Sequence, residues 1–231
     1  MLARTATIIV LAALLGVASH AAAQTTVIDE GTFRLSVRGT PVGTETFTIR
    51  RTGAGASAAV VAQGRIILDT GEQTRALLQV DGPGLRPAAY QIEATGPAPQ
   101  TIRGQTAGNR FRAQIVSPTG ETMREYLISE GAIILDDGVA HHHYFIAARA
   151  AGGGPIPIIV PAQNRQVTGT VRDAGQETVD IAGQRVSARR LVFEPAGMPA
   201  RTLWVDGEGR MLRLAIPDNG YTAERTALPG S

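Results

Sequence analysis

Apolar and polar residues alternate one by one along most of this chain, and a period of two is sorted onto separate faces by β-strands and not by helices. Phe33, Leu35 and Val37 alternate with Thr32, Arg34, Ser36 and Arg38, and Phe47 and Ile49 with Thr46, Thr48 and Arg50. Gly39-Thr40-Pro41-Val42-Gly43 between the two runs supplies turn chemistry, so the pair reads as a β-hairpin. Strands are predicted next over Ala59–Leu68, Thr74–Val80, Pro87–Thr95, Thr101–Gln105, Arg110–Val116 and Thr122–Ser129, with a short apolar one at Ile133–Leu135. Others follow at Ile156–Val160, Arg165–Val171, Glu177–Ile181, Gln184–Glu194, Thr202–Val205, Arg210–Ile216 and Tyr221–Arg225. Gly- and Pro-rich breakers such as Asp81-Gly82-Pro83-Gly84 and Gly96-Pro97-Ala98-Pro99 separate them, and a turn is predicted at Asp173-Ala174-Gly175. No repeat of fixed period appears, which argues against a propeller or solenoid.

One segment departs from the rhythm. Val139 to Ala151 contains neither Gly nor Pro, follows Asp136 and Asp137 as candidate caps, and stops at Gly152-Gly153-Gly154. The expectation is a helix of about three turns. A flat sheet of more than about ten strands curls or splits. The fold class is therefore all-β and mainly antiparallel, a wide curled sheet or open half-barrel covered by one short helix, with residues 24–231 as a single domain.

The first 23 residues read differently. Arg4 precedes an apolar core from Ala6 to Val17, and Ala21-Ala22-Ala23 meets the small-x-small cleavage rule. This is the pattern of a secretory signal peptide, and its core is shorter than the about 20 residues of a membrane span. The expected location is periplasmic or secreted, with no transmembrane segment in the mature chain. The chain has no cysteine, which excludes disulfides, thiolate metal sites and a lipid-anchoring cysteine. All 22 basic residues are arginine, scattered among 20 acidic ones, and aromatics are only 4%. Nucleic acid, which calls for a concentrated basic face with stacking aromatics, is an unsuitable partner.

Catalytic motifs are missing from the sequence. His141-His142-His143 is the most conspicuous run, but adjacent helical positions diverge by about 100°, so the three cannot converge on one metal ion. A structural or solvent-facing role is expected, with His143 pointing inward. Gly55-Ala56-Ser57 lacks the glycine of a nucleophile elbow, and Gly152-Gly153-Gly154 lacks the Lys-Ser/Thr of a phosphate loop. No catalytic residue, metal ligand or cofactor is assigned. What remains is an apolar concave face of Phe33, Phe47, Ile66, Leu68, Tyr90 and Phe111, joined by Leu127, Val192 and Trp204. Such a face is either filled core or the wall of a ligand pocket. Phe47, Tyr90, Phe111, His143, Tyr144 and Trp204 are the candidate ligand-binding residues.

The G-x-x-x-G turn at Gly39 and Gly43 and the late hairpin Trp204 to Arg213 (WVDGEGRMLR) resemble exported bacterial β-proteins of uncharacterised families. These are broadly similar to the Lol lipoprotein carriers. That resemblance implies a curled antiparallel sheet, covered by helix, that holds acyl chains; it brings no catalytic residues. The chain departs from those carriers in offering one helix where they have several. The function expected is non-enzymatic binding of an apolar or lipid-like ligand. The alternatives are a structural or interaction module with an envelope protein partner and a filled core, or a histidine-dependent metal or hydrolytic enzyme.

Overall fold

A computed structural model describes residues 25–150 and 152–230; the expected signal peptide lies outside the described residues. Eight strands form a meander: β1 (Thr25–Val37), β2 (Thr40–Thr52), β3 (Ala59–Leu68), β4 (Gln73–Asp81), β5 (Arg86–Ala94), β6 (Gln100–Ala107), β7 (Arg110–Ser117) and β8 (Gly120–Leu127). Seven more follow: β9 (Ile133–Ile134), β10 (Pro155–Val160), β11 (Arg165–Ile181), β12 (Gln184–Pro195), β13 (Arg201–Val205), β14 (Met211–Ile216) and β15 (Tyr221–Arg225). All fifteen belong to one open sheet, ordered β8-β7-β6-β5-β4-β3-β2-β1-β15-β14-β13-β12-β11-β10-β9. Every neighbouring pair is antiparallel except β9 with β10. The first and last strands meet in the middle, Phe33 opposite Arg225 and Val37 opposite Tyr221.

A sheet this wide twists and curls back on itself. Its far edges approach without joining as strands. Tyr126 Oη on β8 donates to Asn164 Oδ1 just before β11, 3.2 Å away, and Gln166 Nε2 donates to the Leu127 carbonyl at 2.6 Å. Inside the curl lies a continuous core that includes Phe33, Leu35, Ile49, Leu78, Ile102, Phe111 and Phe193, all almost fully buried. Phe111 lies flat over Gly104 of the neighbouring strand, where an added Cβ would stand 2.0 Å from the ring.

The expected helix is a 3-10 turn, His141–His143, running directly into α1 (Tyr144–Ala150). It covers one end of the curl. Phe145, Ile146 and Ala147 face inward, and the Arg149 guanidinium bonds the Gly84 and Leu85 carbonyls of the β4–β5 turn.

Some expectations need correction. No turn breaks the chain at Asp173-Ala174-Gly175; β11 runs on through a bulge between Asp173 and Gln176, where the Gly175 N–H donates to Asp173 Oδ1 at 2.8 Å. The extra residue reverses the alternation. Val167, Gly169 and Val171 before the bulge serve the main core side, whereas Val179 and Ile181 after it join a second, outer cluster with Ala188 and Leu212. Trp204 packs against that outer cluster and not on the concave face, and its indole N–H donates to Glu177 Oε2 at 3.0 Å. Leu127 is 50% exposed because Tyr126 takes the inward position on β8. On β12, Leu191 and Phe193 join the main core, so Val192 between them faces the other way.

Candidate functional site

The polar interior begins with Glu45. On β2 it alternates with Thr44 and Thr46 and shares its face with Phe47 and Ile49, so the pleat directs its carboxyl group inward, where its side chain is 0% exposed. Buried carboxyl oxygens need donors. They find them at the start of the 3-10 turn: Ala140 N–H donates to Oε2 at 2.8 Å, and His141 N–H to Oε1 at 2.7 Å. The His141 ring stands over the same oxygen, Nδ1 at 2.7 Å. One acidic side chain from β2 therefore fixes the position of the helical segment inside the sheet.

Contact at this depth requires a residue without a side chain opposite. Gly64 on β3 is that residue, since a Cβ there would lie 2.6 Å from His141 Cε1. The His141 ring also stacks on Phe47 (centroids 5.9 Å, 10° between planes), and Phe47 stacks on Phe33 at 4.8 Å. Arg225 closes the far end of this stack, its guanidinium 5.2 Å from the Phe47 ring and bonded by Nη2 to both oxygens of Asp29. On the other side His142 meets His141 edge-on at 4.4 Å and Tyr90 at 5.8 Å. Tyr90 Oη then donates to Asp136 Oδ2 at 2.5 Å, while the Ala162 N–H donates to Oδ1 at 3.0 Å.

Burial sets the ionisation of these groups. It pushes the Asp136 carboxyl up to about 6, against the opposing pull of the Tyr90 and Ala162 hydrogen bonds. It pulls His143 down to about 3, helped by the Arg201 charge, and it lowers His142 as well. At neutral pH His142 and His143 are uncharged imidazoles. His143 Nδ1 lies 3.1 Å from the Ala140 carbonyl, and both nitrogens of His142 are without a partner among the described residues. Among those residues no three His, Cys, Asp or Glu side chains converge as a metal site.

The expected inward position of His143 holds, but His141 and His142 are equally buried. The histidine segment does not lie on the surface; Glu45 draws it inside the curl. Among the candidate binding residues, Phe47, Tyr90, Phe111 and His143 are gathered in the core. Half-buried Tyr144 sits at the outer end of α1, and Trp204 lies on the opposite sheet face. Sequence reasoning passed over Glu45, although its place in the Phe47–Ile49 alternation marks it as inward-facing. It also passed over Tyr221.

At the end of the curl away from α1 the core is not filled. A cavity of about 330 Å³ opens there, walled by Leu35, Val42, Ile66, Leu68, Ile92 and Ile102. Its polar floor is made by the Asp136–Val139 segment and Tyr221. Burial and the nearby Glu45 and Asp137 carboxyl groups raise the Tyr221 phenol far above its ordinary value, so it stays protonated. A larger groove on the outer face, lined by Gln63, Arg65, Arg75, Gln91 and Glu93, has the polar character of a solvated sheet surface.

The fold and interior define an all-β protein with one open, barrel-like sheet around a buried polar chain and a small apolar cavity. A solved structure shares this shape: a beta-barrel-like protein of Domain of Unknown Function DUF1849 from Brucella abortus, 10% identical, with a TM-score of 0.52 over 88% of this chain and 97% of that one. At that identity the likeness concerns the fold. No family model and no curated protein matches the sequence.

Proposed function

We propose that the chain is an exported, non-enzymatic protein of the bacterial envelope that holds an apolar or amphipathic ligand in the open end of its curled sheet. The observation that carries this reading is the 330 Å³ cavity, apolar on its walls with a few polar groups on its floor, as small-ligand sites usually are. The Lol-like features of the sequence point the same way, and the signal-peptide pattern of residues 1–23 supports export. The buried histidines support a structural role, since each is packed among core groups and Glu45 spends both oxygens on the helical segment. Native mass spectrometry of protein purified from its own host tests the proposal. Co-purifying lipid-like mass, displaced by added acyl compounds, is the expected result; no bound species and no shift with any acyl probe would refute it.

A second reading, an interaction module, has one observation in its favour. Val116 (41% exposed), Met123 (60%) and Leu127 (50%) lie on the outer face beside the β8 edge. Exposed apolar area next to an open edge strand is a common partner surface. Loss of a pulled-down envelope protein on Met123→Glu, with ligand binding retained, would support this reading over the first.

A further inference from the structure

Tyr221 projects from the first position of β15, and its hydroxyl is fully buried with no hydrogen-bond partner among the described residues. A buried unpaired hydroxyl is costly, and folded proteins rarely retain one without a reason. Tyr221 lines the cavity, beside Asp136 and Asp137. The neighbouring carboxyl groups cannot relieve it. Both Asp136 oxygens accept bonds from Tyr90 and Ala162, and those of Asp137 from Arg201 and Gln163. Glu45 is committed to Ala140 and His141.

From this geometry we infer that the cavity selects a medium-length alkyl chain carrying an uncharged hydroxyl or amide head, which hydrogen-bonds to Tyr221. The inference rests on the cavity-binding function proposed above and adds the chemistry of the head. An anionic head such as a fatty carboxylate would face Asp136, Asp137 and Glu45, with Arg201 already engaged by Asp137. A cationic head would lose its hydration and find every nearby carboxyl oxygen occupied. The volume sets the chain length. A space of 330 Å³ equals about eleven waters at ~30 Å³ each, room for a chain of roughly eight to ten carbons.

Calorimetric titration of the folded chain with 1-octanol, octanamide, octanoate and octylamine at pH 7.5 tests the assignment. Octanol and octanamide should bind at least tenfold more tightly than octanoate or octylamine. Tyr221→Phe should weaken those two by about three- to tenfold, as expected for one lost hydrogen bond, and leave the charged probes unchanged. The ligand-free variant should melt no lower than the wild type, because it removes an unsatisfied group. Equal binding of all four probes, or tightest binding of octanoate or octylamine, overturns the head-group assignment while the cavity function stands. Binding of none overturns both. A Tyr221→Phe protein that folds but melts clearly lower shows that the hydroxyl already has a partner, and also overturns the assignment.

Discussion

Acidification should loosen this protein through His143, by an amount that follows from its burial. The ordinary value for a histidine is 6.5, and that of the folded protein is about 3. Between these values the unfolded chain takes up a proton that the folded chain refuses. The contribution is therefore fully present above about pH 6.5 and is lost progressively as pH falls toward 3. From pH 7 to pH 5 the loss is about 2 kcal/mol for this one residue. His142 acts in the same direction. Asp136 opposes both: its folded value near 6 lies above the ordinary 3.8, so the folded state gains a proton first and is favoured by about 1 kcal/mol over the same interval. The opposing terms make a single pH profile ambiguous, whereas a comparison with His143→Gln removes every shared contribution. Urea unfolding of both proteins at pH 7 and pH 5, followed by circular dichroism, gives two differences. The wild-type loss should exceed that of the variant by about 2 kcal/mol. Equal losses within about 0.5 kcal/mol would show that His143 titrates normally, and the argument from burial would fail.

Other perturbations reach the same interior from different sides. Glu45→Leu strands the Ala140 and His141 donors, and urea unfolding should show a loss of about 3–5 kcal/mol. Gly64→Ala places a methyl group against His141 and should cost about 1–3 kcal/mol, seen as a lower melting temperature; an unchanged value would contradict the close packing of β3 on the turn. Tyr90→Phe removes the hydrogen bond that holds the Asp136 value down, so its destabilisation should be larger at pH 8 than at pH 5. Trp204 is the only tryptophan and lies on the outer face, so its emission should stay constant while octanol fills the cavity; a marked shift would mean that binding reaches the outer cluster.

The strand pattern was readable because one face of each strand is wet, and an alternation with a buried side has only one register that works. That argument fails where the phase changes without a turn. At Asp173–Gln176 the polar, glycine-containing stretch looks like a reversal, yet the chain continues and simply exchanges faces. A lone bulge leaves no local mark that separates it from a turn. The interior polar groups were harder to see for another reason. Tyr90 meets Asp136 from 46 positions away and Asp29 meets Arg225 from 196, so only the completed sheet makes them neighbours. Glu45 is the exception. Its parity with Phe47 and Ile49 was visible, and a charged residue in a core register implies a buried partner. The cavity had no sequence signature, because its walls use the same residue types as the filled core beside them.

The pairing of the first strand with the last has a kinetic consequence. The meander from β1 to β8 can assemble from near neighbours, but the β1–β15 seam must wait for a loop of nearly the whole chain to close, the slowest class of contact to form. Until then β1 presents a free edge at the centre of the future sheet, open to the wrong strand or to another molecule. The Asp29–Arg225 bond spans this seam, and through its stack on Phe47 it ties seam closure to the placement of His141. The last event in folding thus completes the wall and sets the interior together, which leaves the unfinished protein without a finished cavity.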